Sequence, residues 1–145
     1  MMKRLKLCLY GLLMLSAGAS AAGKAAFAHP PKENIETGSG FSYKYITEKV
    51  KQSGKAVTFN VQEFSGKRGK KAVQWQKDGN YTVVCSYENP TVSDGSEGYD
   101  MREPLTNATY NLGETYLRTC HYKQREKLKH DPDTVLRKFG YAYRE

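Results

Sequence analysis

Apolar residues fall on alternate positions through much of the first half of the chain. Phe41, Tyr43 and Tyr45 form one such set, and Val57, Phe59 and Val61 form a clearer one with Thr58 and Asn60 between them. Period two with polar alternates predicts strands that bury one face and wet the other. Residues 65–71 break the pattern with glycine and charge, as a hairpin loop does. Beyond them, residues 72–76 and 81–87 flank Lys77-Asp78-Gly79-Asn80, and Asp-Gly between two such runs predicts a tight hairpin. Trp75, Val83, Cys85 and Tyr87 are assigned to the core, although Val84 interrupts the alternation. Residues 89–114 carry Asn-Pro, Asp-Gly, Glu-Gly and Leu-Gly with little period, which predicts a long connection with one short strand near residues 99–105. A further strand is predicted over residues 115–124. The tail predicts the one helix: Asp131 as N-cap, Pro132 at the first position, an apolar stripe of Val135, Leu136 and Phe139, and Gly140 as terminator. The expected fold is therefore mainly β, a small antiparallel sheet or sandwich with a short C-terminal helix.

The amino-terminal end has a different texture. Met1-Met2-Lys3-Arg4-Leu5-Lys6 is followed by an apolar run over residues 7–15 and the small-residue stretch Ser16-Ala17-Gly18-Ala19-Ser20-Ala21. A basic start, a short apolar stretch and an A-x-A exit make a secretory signal peptide, and the run falls well short of the roughly 20 residues that span a bilayer. Two exits are open, after Ala21 or after the later triplet Ala26-Phe27-Ala28. The reading leans to the later one, with Lys24 favouring the earlier. The domain assignment is then 1–28 signal peptide, 29–40 flexible arm rich in Pro, Gly, Ser and charge, and 41–145 a single β-rich domain.

Export changes what the composition means. The chain of 145 residues has 23 Lys and Arg against 15 Asp and Glu, a balance of +8. Four of those cations (Lys3, Arg4, Lys6, Lys24) lie in the signal segment, which leaves nineteen against fifteen, or +4, and removes most of the case for a nucleic-acid partner. Cys8 leaves as well, so Cys85 and Cys120 remain in an oxidising compartment, and one intramolecular disulfide is expected. No lipobox cysteine stands near the exit, so no membrane anchor is expected after cleavage.

Catalytic and metal constellations are weak. His29, His121 and His130 sit in no nucleophile elbow. The grouping His121, His130, Asp131, Asp133 matches no zinc or calcium spacing, so neither metal nor cofactor is expected. Carboxylates for hydrolytic chemistry would come from Glu88, Glu97, Asp100, Glu103 or Glu114, whose separation the sequence does not set. Asn107-Ala108-Thr109 fits a glycosylation acceptor but follows a bacterial-type leader. The expectation is a protein that is not an enzyme.

The charge distribution says more than the motifs. Residues 44–77 carry nine cations against Glu48 and Glu63, whereas residues 88–114 carry six anions against Arg102 alone. Such asymmetry steers and selects a charged partner, and the acidic run lies between the two cysteines, where a clipped loop is pre-organised for binding. The segments Gly79-Asn80-Tyr81-Thr82-Val83-Val84-Cys85-Ser86-Tyr87 and Tyr116-Leu117-Arg118-Thr119-Cys120-His121-Tyr122 each contain a C-x-Y element. Over about residues 72–124 the chain resembles small disulfide-clipped secreted proteins of Gram-negative bacteria, some of them encoded in type VI secretion neighbourhoods. The resemblance implies a periplasmic immunity protein neutralising a delivered toxin, or a related inhibitor of a cell-wall enzyme such as lysozyme, with a small secreted hydrolase as the alternative class. The expected partner is a protein, and its contacts are assigned to Asp94, Glu97, Asp100 and Glu103 with Tyr99 and Tyr87 as aromatic anchors.

Overall fold

The computed structural model describes residues 24–69, 71–124 and 131–144. Six antiparallel strands, β1 (Glu33–Thr37), β2 (Phe41–Ser53), β3 (Ala56–Lys67), β4 (Gln76–Cys85), β5 (Thr91–Ser93) and β6 (Gly98–Asp100), lie side by side in chain order. Two helices, α1 (Tyr110–Cys120) and α2 (Pro132–Lys138), complete the domain. The mainly β reading with a C-terminal helix holds, and the architecture is one meandering sheet with both helices contributing to its core.

The alternation seen in the sequence sets which face is buried. Val57, Phe59 and Val61 of β3 point inward with Val83 and Cys85 of β4 and Val92 of β5. They meet Leu112, Tyr116 and Leu117 of α1 and Val135 and Leu136 of α2. Each of these side chains is almost fully buried, which places the core at the end of the sheet where β4 ends and α2 begins. Cys85, last in β4, and Cys120, last in α1, form the disulfide, with Cα atoms 5.4 Å apart and a sequence separation of 35. On the chain-entropy model that closure stabilises by about 4 kcal/mol. The tail helix is built as its signals require: Asp131 accepts from the Thr134 amide at 3.0 Å, Pro132 opens the helix, and Gly140, at φ +94°, ends it.

Five sequence expectations are corrected. Residues 115–124 do not continue the sheet, because residues 110–120 are α1. Thr115 and Thr119, which argue for a strand, are accommodated by donating their hydroxyls to the carbonyls of Asn111 and Thr115 at 2.9 and 2.8 Å, one turn back. The Asp78-Gly79 pair makes no hairpin: β4 runs straight through it, with the register slipping opposite Glu63 and Phe64, so the turn residues serve as a bulge. The assigned arm over residues 29–40 contains strand β1, whose partners run from Glu33↔Ile46 to Thr37↔Ser42, because β2 is long enough to offer an unpaired edge. Trp75 is not part of the core; its ring lies 4.8 Å from the Lys44 ammonium. The connection over residues 89–114 is also more regular than expected, since it carries β5 and β6. The signal segment is outside the described residues up to residue 23. No helix among the described residues is long and apolar enough to cross a membrane.

Candidate functional site

The inner face of the sheet is only partly covered. The alternation that buries Val57, Phe59 and Val61 continues to Glu63, which β2 and β3 place opposite Tyr45. A carboxylate thus occupies an inward position just where the apolar core stops. On β1, Glu36 pairs with Tyr43, and on β4 Tyr81 pairs with Val61. Gly79 has a specific task beside it: a Cβ there would lie 2.5 Å from the Tyr81 hydroxyl, so the missing side chain lets the Tyr81 ring lie back across the strand. From above, α1 brings Asn111, Glu114, Thr115 and Arg118. These residues, with Asp78, enclose a cleft of about 610 Å³ between the sheet and the helix.

The cleft is acidic and aromatic. Among the described residues, Glu36, Glu63, Asp78 and Glu114 line it against the single cation Arg118. Arg118 is held from two sides, with Nε 3.5 Å from Glu36 and its guanidinium 4.9 Å above the Tyr45 ring. Burial raises the Glu63 carboxyl above its usual range; Arg118 opposes that, and the Asp78 and Glu114 charges add to it. The Tyr45 hydroxyl is raised chiefly by burial, with Arg118 again opposing. Tyr81 is raised by burial and then by the charges of Glu63, Asp94 and Asp78 together, which places Asp94 within the electrostatic reach of the cleft rim. Among the described residues no three His, Cys, Asp or Glu side chains converge to hold a metal ion, so the four carboxylates act as spread walls. Their arrangement suits a ligand that carries positive charge and presents some apolar surface to the tyrosines.

None of the six residues assigned to partner contact lines this cleft. Asp94 and Glu97 are exposed on the β5–β6 turn, where Asp94 Oδ1 accepts from the Ser96 amide at 3.0 Å and the Ser96 hydroxyl at 2.6 Å, bonds that lower its carboxyl. Glu103 is exposed just beyond β6. Asp100 is taken up by Arg102 at 2.7 Å and Arg144 at 3.1 Å, its carboxyl only 15% exposed, so its charge is balanced within the chain. Tyr99 is half-buried against the core. Tyr87 is stacked between Phe27 and Tyr141, with ring centroids 5.1 and 4.5 Å away, and its hydroxyl bonds the Ala25 carbonyl. His121 is wholly buried and bonds the Tyr141 hydroxyl at 2.8 Å, so it faces no cleft. The cleft is lined instead by Glu36, Tyr43, Tyr45, Glu63, Tyr81 and Arg118, which the sequence pattern does not single out as contact residues. The signal that finds Glu63 is parity: it keeps step with Val57, Phe59 and Val61, and an acid on the apolar parity of a strand marks a place where burial gives way to a site.

No family model matches this chain, and neither a curated protein nor a solved structure matches it.

Proposed function

We propose that this protein is an exported periplasmic binding protein, an immunity protein that neutralises a toxin delivered to that compartment, and that it holds a basic segment of its partner in the cleft between α1 and the sheet. The observation that carries the reading is the cleft itself, four carboxylates and three tyrosines around one arginine. Acidic walls attract and orient a basic protein segment, and tyrosines concentrate binding energy at little entropic cost. The same walls repel phosphate, which argues against nucleic acid. Asp94 and Glu97 extend the acidic surface outward from the rim, so part of the expected acidic loop keeps a role as a steering element, while Tyr43, Tyr45 and Tyr81 replace Tyr99 and Tyr87 as anchors. A basic cell-wall enzyme such as lysozyme satisfies the same chemistry, and inhibition of such an enzyme is the variant of this reading.

Titration calorimetry tests it, with the products of the neighbouring genes and with hen lysozyme as the probes. Binding to one of them should weaken as salt rises. The double variant Glu63→Gln/Glu114→Gln should weaken it at least tenfold, about 1.4 kcal/mol, while leaving the fold intact. Unchanged affinity in the double variant refutes the cleft as the binding face. A second reading, a small hydrolase with Glu63 as general acid, is favoured by the raised Glu63 carboxyl within a cleft. Release of soluble fragments from peptidoglycan by the wild type, abolished in Glu63→Gln, would put that reading first.

A further inference from the structure

The leader segment assigned to residues 1–28 ends inside the folded domain. The Ala28 amide donates to the Cys120 carbonyl at 2.9 Å, and Ala28 forms a parallel bridge with His121 at the end of α1. Phe27 stacks on Tyr87 at 5.1 Å and lies 5.6 Å from the His121 ring, packing with Ala25 against the core. The Tyr87 hydroxyl bonds the Ala25 carbonyl, and the Lys24 ammonium lies 5.1 Å from the centre of the Tyr87 ring. The stem of Lys24 also runs past the end of α2, where a Cβ on Gly140 would stand 3.2 Å from Lys24 Cγ. Further along, His29 packs edge-on to Phe59 at 5.4 Å and the Lys32 carbonyl accepts from Thr47 at 2.8 Å, so the chain is engaged continuously up to β1.

Cleavage after Ala28 would remove every one of the contacts made by residues 24–28. The cap over Tyr87 and His121 would go with Phe27, the Cys120 carbonyl would lose its donor, and the new terminus would place an ammonium group, mostly charged at neutral pH, beside Phe59. Cleavage after Ala21 removes none of them. A second observation is independent of the packing: Lys24 puts a charge between the apolar run and the later triplet, where an exit segment is made of small uncharged residues.

Resting on the export reading, we propose that the signal peptide is cut after Ala21, in Ala19-Ser20-Ala21, and that residues 24–28 remain as a strap that closes the aromatic end of the core. Ala26-Phe27-Ala28 is then a structural element that only imitates a processing site. The mature protein keeps Lys24 and Phe27, and with Lys24 its net charge is one unit higher than cleavage after Ala28 would leave.

The test is intact mass with amino-terminal sequencing of protein recovered from the periplasm of a Gram-negative host that expresses the full chain. The expected first residue is Ala22. A start at His29, or anywhere past Lys24, overturns the processing site while leaving export standing; an uncut chain retained in the cytoplasm overturns both. A second measurement compares the melting of two disulfide-bonded forms made behind a foreign leader, one starting at Ala22 and one at His29. The strap account expects the shorter form to melt at least about 5 °C lower, and equal melting temperatures would overturn it.

Discussion

Lowering the pH should unfold this protein through a histidine that has no catalytic part. His121 is wholly buried among Phe27, Phe139, Tyr87, Tyr116 and Tyr141. The protons around it can be assigned: Tyr116 donates to the Ser86 carbonyl at 3.0 Å, which leaves Tyr141 to donate to Tyr116 across 2.7 Å and His121 Nε2 to donate to Tyr141 across 2.8 Å. A neutral ring with its proton on Nε2 completes that chain. Burial pushes the imidazole down to about 4 from its ordinary 6.5, outweighing the Ala26 backbone, which favours the charged form. The unfolded chain therefore takes up the proton first as pH falls. Stability is unaffected above pH of about 6.5, is lost at up to roughly 1.4 kcal/mol per pH unit down to about 4, and is flat in this term below that. The total is about 3 kcal/mol, a large part of what a small domain has. Urea unfolding of the wild type and of His121→Gln, whose amide can still donate to Tyr141, isolates the effect, because the depressed carboxyls of Asp94 and Asp100 are common to both. The wild type should lose about 3 kcal/mol more than the variant between neutral pH and pH 4. Parallel losses in the two proteins would show that His121 is not the acid-sensitive group.

Reducing the Cys85–Cys120 bridge, which closes a separation of 35 residues, should cost about 4 kcal/mol, and a thermal melt with and without reductant that differs by only a degree or two would contradict this. Leu136→Ala, at a position with no exposed surface, should cost 2–5 kcal/mol by denaturant titration, whereas Glu97→Ala on the open turn should cost almost nothing. Gly79→Ala should turn the Tyr81 ring out of its place over the strand, since the new methyl meets the ring at 2.5 to 2.7 Å; partner affinity should fall with little change in melting temperature, and unaltered binding would remove Tyr81 from the site. Glu63→Gln should raise the melting temperature at neutral pH, because burial makes the charged Glu63 carboxyl costly, and a lowered melting temperature would mean that Arg118 offsets that cost in full.

What could be read in advance was what depends on local pattern. The strand carrying Phe41, Tyr43 and Tyr45, the buried face of Val57, Phe59 and Val61, the Asp131-Pro132 helix start with its Gly140 stop, and the cysteine pair all act through near neighbours or through simple elimination, and all stand, although Phe41 and Tyr43 are exposed while Ser42 between them is buried. The failures arise where a distant partner decides. Residues 110–120 contain β-branched and aromatic residues that suit a strand, yet the demand to bury Leu112, Tyr116, Leu117 and Cys120 on one side at helical spacing prevails. Asp78-Gly79 has hairpin chemistry, but β3 extends past it and draws it into the sheet as a bulge. The site followed the same rule. The segment densest in acid points to Asp100, which is balanced by Arg102 and Arg144, while the cleft draws its acids singly from β1, β3, β4 and α1, which only the fold brings together.

The central claim is that the cleft between α1 and the sheet grips a basic segment of a protein partner, and zero-length carbodiimide coupling of the complex, which joins carboxylates to lysines in direct contact, tests it most directly. The account predicts cross-links from partner lysines to Glu36, Glu63 and Glu114, with Asp94 and Glu97 joining at the rim. Cross-links confined to acids outside the cleft, such as Glu33, Glu48 and Glu103, would contradict it.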